Sequence, residues 1–109
     1  MLKLTHPTPE EYAPFYEDYV QRAIAREDVL VALPKQIDEI RAALSSLTDS
    51  QALYKFGLAE WSIKEVVGHL NDVERVFSYR LLRISRGDGT PLPGFEQEDY
   101  IRAAGYDNV

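Results

Sequence analysis

The stretch "WSIKEVVGHLNDVERVF", Trp61 to Phe77, decides how this chain is read. Ser62 with Glu65 three residues on is an S-x-x-E capping box, in which a hydroxyl and a carboxylate satisfy the first free amides of a helix. Behind it Ile63, Val66, Val67, Leu70, Val73, Phe77 and Leu81 recur at spacings of three and four. At about 100° per residue these positions share one broad arc, widened by Val76 and Ile84. The spacing predicts a helix from Ile63 to about Arg86, stopped by Gly87, with Arg83 and Arg86 suited to the negative end of its dipole. An arc this wide suits a helix that meets more than one neighbour.

His69 lies at the edge of that arc. Glu65 stands one turn before it and Asp72 almost one turn after, so the three line one stripe. A carboxylate beside a histidine favours the imidazolium, or orients a neutral ring toward a metal. The spacing leaves two readings: an interfacial histidine paired with its helical neighbours, which is the commoner case, or a ligand or catalytic group. One histidine and two carboxylates on a single helix fall short of the roughly three or four ligands, drawn from several elements, that zinc-type sites use.

Upstream, "EDVLVALPKQIDEIRAALSSL" (residues 27–47) predicts another long helix through Leu30, Leu33, Ile37, Ile40, Leu44 and Leu47. Asp28 suits its start, and Pro34 predicts a kink because it removes a hydrogen bond and crowds a carbonyl. Earlier still, "THPTPEEY" predicts a helix start with Thr8 as cap and Pro9 in the first turn, and Pro14 opening a new turn. The stripe Tyr12, Phe15, Tyr16, Tyr19 and Val20 reads as core. "TDSQ" is a turn, with Asp49 or Ser50 capping a short piece around Ala52 to Tyr54, and Gly57 marks another turn. Downstream, "GDGTPLPGF" is a loop, and it lacks the Lys-Ser/Thr of a phosphate loop. A last short helix is predicted over Gln97 to Ala104, stopped by Gly105. No strand pattern occurs, so the chain reads as all-α: two long helices and several short ones in a single domain, residues 1–109.

The remaining chemistry is sparse. Ser62 reads as a cap, and the other serines have no motif around them. Glu74 projects near the apolar arc, which suggests a buried pairing with an arginine. His6, in a proline-bounded loop, reads as solvated. Twelve basic against eighteen acidic residues give a net charge of −6, which disfavours nucleic acid and anionic membrane as partners. There is no cysteine, so thiolate metal sites, disulfides and cysteine nucleophiles are excluded. No stretch has the apolar length of a membrane span, and no signal peptide is evident. A cytoplasmic location is expected.

The segment "YKFGLAEWSIKEVVGHLNDVERVFSYR", residues 54–80, resembles the signature helix of the DinB-like superfamily, which includes the YfiT-type metal-dependent hydrolases and the bacillithiol transferases. The matching positions are Trp61, Ser62, Lys64, Glu65, His69, Asp72, Glu74 and Arg75, and the resemblance runs from about Tyr12 to Tyr100. It implies a four-helix bundle holding a divalent metal, nickel or zinc, on three histidines. His69 matches the first of these. Glu65 and Asp72 would be its orienting neighbours. The His-x-x-x-His pair of the family's last helix has no counterpart, and His6 matches neither ligand, which leaves either a fragment of a longer protein or a natural half-bundle that completes itself by pairing.

Three readings follow. The first is half of a four-helix bundle, completed as a homodimer, in which the motif is mainly scaffold and the three-histidine site is incomplete. The second is a metal-dependent transferase or hydrolase in which paired chains bring two His69 side chains around a metal; its small-molecule substrate and catalytic residues are unknown. The third is a non-catalytic module that receives the helices of another protein.

Overall fold

The computed structural model describes residues 4–109; the first three residues of the leading stretch lie outside them. Among the described residues every regular element is helical. The backbone divides into two compact units between Ser46 and Leu47.

The first unit carries helix α1 (Glu17–Ile24) and helix α2 (Val29–Leu44). The expected early helix is replaced by two short 3-10 turns, Pro9–Glu11 and Pro14–Tyr16. The two prolines explain the break: each fits the first position of a turn, and neither continues the hydrogen-bond ladder of the turn before. Thr8 caps the first turn with Glu11 as its capping-box partner. The aromatic stripe is not a core. Phe15 is 76 % exposed, and Phe15, Tyr16 and Tyr19 instead gather with ring centroids 5.0 and 6.4 Å apart.

Helix α2 begins at Asp28, whose carboxylate accepts the Leu30 amide at 2.8 Å. It runs unbroken through Pro34, which lies in its second turn. Two ion pairs tie its middle turns to the segment before it, Arg26 to Glu39 at 2.7 Å and Lys35 to Glu27 at 2.9 Å. Its seam of Leu30, Leu33, Ile37 and Ile40 is exposed.

The second unit is built on helix α4 (Ile63–Ser85), flanked by helix α3 (Asp49–Leu53) and helix α5 (Gln97–Ala104). Thr48, rather than Asp49 or Ser50, caps α3, with Gln51 completing a capping box. The helix α4 ends at Ser85, and Gly87 takes a left-handed φ of 71° that only glycine adopts without strain. Helix α5 and its stop at Gly105 fall where the sequence places them. A 3-10 turn, Tyr106–Asn108, then folds back onto α4.

The two sides of α4 differ. The covered side is the stripe Ser62, Glu65, Gly68, His69, Asp72, Val76, Arg80 and Arg83. The wide apolar arc, centred about 120° away around the helix, is largely open: Phe77 is 57 %, Leu81 68 % and Ile84 65 % exposed, and Val66 and Leu70 are exposed as well. The unit packs its own short elements on the polar side because those elements bring polar anchors. The small apolar core of this unit is marked by Ile101 of α5, which is buried.

Candidate functional site

The site is the stripe of α4 around His69 and the elements that cover it. It starts at Ser62, which is 0 % exposed. The Glu65 amide donates to Ser62 Oγ and the Ser62 amide to Glu65 Oε1, both at 3.1 Å. The Ser62 hydroxyl donates in turn to Asp107 Oδ1. One hydroxyl thus caps the helix and anchors the turn that follows α5. Lys55 completes the group, its ammonium 2.8 Å from Glu65 and 3.1 Å from Asp107.

These contacts set the charge states. The Ser62 hydroxyl, and after it Lys55, holds the Asp107 carboxyl below its ordinary range against the opposing effect of desolvation. Hydrogen bonds to Glu65 and Asp107 raise the Lys55 ammonium. A depressed carboxylate contributes stability that is fully present above its unfolded pKa, about 3.9, and is lost as pH falls through the lower folded value. The expected result is a loss of stability below about pH 4 that is smaller in Asp107→Asn. Chemical denaturation at pH 7 and in acid checks it; an unchanged acid loss in the variant would remove Asp107 from the account.

One turn further, Gly68 leaves room for the Tyr106 ring. A Cβ on Gly68 would lie 2.3 Å from two carbons of that ring. The Tyr106 hydroxyl donates to Asp72 Oδ1 at 2.8 Å, and this bond to a carboxylate, with burial behind it, raises the phenol's pKa. Arg75 is 3.8 Å from the same oxygen but lies in solvent, where such a pair contributes little.

His69 sits between these two anchors, half-buried. The neighbour that holds its ring is Trp61, with centroids 4.8 Å apart and planes inclined by 57°. Trp61 is itself fixed by its indole N–H, which donates to Glu98 of α5 at 3.1 Å. Glu65 and Asp72, expected to flank the histidine, lie on its stripe but are turned to Ser62 with Lys55 and to Tyr106 respectively. Beside Trp61 an open cleft of about 400 Å³ is lined by Lys55, Leu58, Glu98 and Ile101.

The sequence profile of the DinB superfamily matches residues 32–106, 75 of the 109 residues. The chain belongs to the DinB superfamily. No curated protein and no solved structure matches the chain.

DinB membership brings a metal centre into question. Among the described residues no group of three or more His, Cys, Asp or Glu side chains converges as a metal site would require. With Glu65 and Asp72 engaged by cationic or phenolic partners, the donors of this DinB domain do not by themselves fit a divalent ion. His6 is exposed in the other unit. Glu74, expected in a buried pairing with an arginine, is exposed, and its Oε1 accepts a long 3.4 Å bond from Ser78.

Four residues that shape this site escape motif reading: Lys55, Glu98, Tyr106 and Asp107. Their one sequence trace is Gly68. An interior helix glycine on a stripe that is otherwise packed signals a close approach, and here the approaching group is Tyr106.

Proposed function

We propose that this DinB domain is an assembly module: half of a helical bundle of metal-dependent ancestry, non-catalytic by itself, which functions as a homodimer. The observation that carries this reading is the double character of α4. Its polar stripe, the one that would present metal donors, is occupied by the chain's own Lys55, Trp61, Tyr106 and Asp107. Its apolar arc is left for others. A cytoplasmic setting goes with this reading, since the sequence has no cysteine to exploit an oxidising compartment. No helix among the described residues is long and apolar enough to cross a membrane.

A second reading is metal-dependent transferase or hydrolase chemistry on an unidentified small molecule. The observation that favours it is that the carboxylates of the stripe have hydrogen-bond partners, while the contact found for the His69 ring among the described residues is the tilted ring of Trp61. In that reading a nickel or zinc ion takes His69 together with histidines brought by other helices, a second His69 among them.

Calorimetric titration with nickel and zinc, on the native chain and on His69→Ala, separates the two. The assembly module predicts no stoichiometric binding tighter than about 10 µM and the same trace for both proteins, because a lone imidazole lacks the other ligands that such sites need. Stoichiometric, tight binding that vanishes in His69→Ala would reject it in favour of the second reading.

A further inference from the structure

The cleft beside Trp61 lies wholly within the second unit, and neither His69 nor the apolar arc of α4 lines it. Its volume of about 400 Å³ falls in the range of small-molecule sites, roughly 300–1,000 Å³. What such a space can hold is set by the charges left over in its walls. Two cations stand there, and each already has a counter-charge. The Lys55 ammonium lies between Glu65 at 2.8 Å and Asp107 at 3.1 Å. Arg102 lies 3.2 Å from Asp99. Two carboxylates of the walls, Glu60 and Glu98, form no ion pair among the described residues. Glu98 accepts the indole N–H of Trp61, a neutral donor that leaves its charge uncompensated. Trp61, Leu58 and Ile101 supply the apolar part of the lining. Ile101 is buried, and Leu58 is fully exposed at the rim.

We infer that this cleft binds a small organic cation, an ammonium whose nitrogen carries alkyl groups. An indole ring attracts a cation through its quadrupole more strongly than any other aromatic side chain. Glu60 and Glu98 add Coulomb attraction, which salt screens. Alkyl groups on the nitrogen gain from contact with Leu58 and Ile101, whereas a bare, strongly hydrated ammonium does not. An anion meets no free donor here, since both cations are paired and the carboxylates outnumber them. A divalent metal is not served either: no three His, Cys, Asp or Glu side chains converge among the described residues. The inference goes beyond both readings of the function and stands whichever of them the metal titration favours.

Trp61 is the single tryptophan of the chain, so indole fluorescence reports on this cleft alone. The probe is choline, titrated into the full chain at constant ionic strength. The controls are its uncharged carbon analogue, in which a tert-butyl group replaces the trimethylammonium, and acetate. Choline should give a saturable change with a Kd on the order of 1 mM, as suits one ring and two carboxylates in an open cleft. The uncharged analogue should bind at least about tenfold more weakly, and acetate should give no saturable change. Glu60→Gln should weaken choline binding about threefold, and Glu60→Gln with Glu98→Gln about tenfold. Glutamine at position 98 keeps an acceptor for the indole N–H. Glu74→Gln removes the same charge from an exposed position outside the cleft and should change nothing. The spectrum of each unliganded variant checks that Trp61 has not moved; if Glu98→Gln moves it, Glu60→Gln alone decides. No saturable response to choline up to about 50 mM would overturn the inference. So would an equal response to the uncharged analogue, saturation by acetate in place of choline, or a loss in Glu74→Gln as large as in Glu60→Gln.

Discussion

Gly68→Ala should destabilise the protein by about 2 kcal/mol, the cost of forcing an extra methyl into a filled site, although alanine is the better helix former by about 1 kcal/mol. The reason is the Tyr106 ring, whose carbons would lie 2.3 Å from the new Cβ. No side chain fits there without moving the ring, and moving the ring breaks the hydroxyl's bond to Asp72. The claim has a built-in control. In a Tyr106→Ala background the obstruction is gone, so Gly68→Ala should change sign and stabilise by about 1 kcal/mol through helix propensity alone. Urea denaturation of the four proteins measures both values at once. The same sign in both backgrounds would mean that Tyr106 does not dock on α4 in solution.

Ser62→Ala should cost about 2 kcal/mol, at the upper end for loss of a helix cap because a buried partner loses its donor too. Ser62 is fully enclosed, so water cannot replace the hydroxyl. Its removal leaves the Glu65 amide without an acceptor and Asp107 without its hydroxyl donor. Asp107→Ala should cost less, since the cap survives it. The double variant should cost clearly less than the two single losses added, because the Ser62–Asp107 bond would otherwise be counted twice. Thermal or urea unfolding gives all three numbers. Strict additivity would show that the two side chains do not meet.

The parts of this molecule that could be read from sequence are those set by neighbours in the chain. The Ser62–Glu65 capping box and the span of α4 rest on residues within one helical turn of each other. The same holds for α5 and its stop at Gly105. Where local signals compete, the reading slips. Thr8 and Pro9 announce a helix, but Pro14 comes too soon for one to propagate, and two 3-10 turns result. Asp49 and Ser50 looked like caps, yet Thr48 reaches the Gln51 amide at 3.2 Å and takes the role. Periodicity also says which residues share a face, not which face is covered. The aromatic stripe from Tyr12 to Val20 and the arc of α4 look alike as patterns of core residues, and both remain largely exposed.

The candidate site was legible only on its own helix. Glu65, His69 and Asp72 stand on one stripe, as spacing required. What each of them touches depends on Lys55, Trp61, Glu98, Tyr106 and Asp107. Tyr106 and Asp107 are more than thirty positions away from their partners Asp72 and Ser62, and no periodic signal connects groups so far apart. Spacing makes a carboxylate near a histidine a candidate neighbour, and it carries no signal for the bonds that Glu65 makes to Lys55 and Asp72 to Tyr106.

In the proposed homodimer the two sides of α4 would obey different laws of dilution. Bonds such as Ser62 to Asp107 and Tyr106 to Asp72 join parts of a single chain, so their contribution to stability is the same at any protein concentration. A contact between copies through the arc follows mass action, and its share of the stability grows with the logarithm of concentration. A series of melting curves at increasing concentration would thus sort the residues of one helix into two populations. Substitutions on the stripe should displace the whole series in parallel, and substitutions on the arc should flatten its slope.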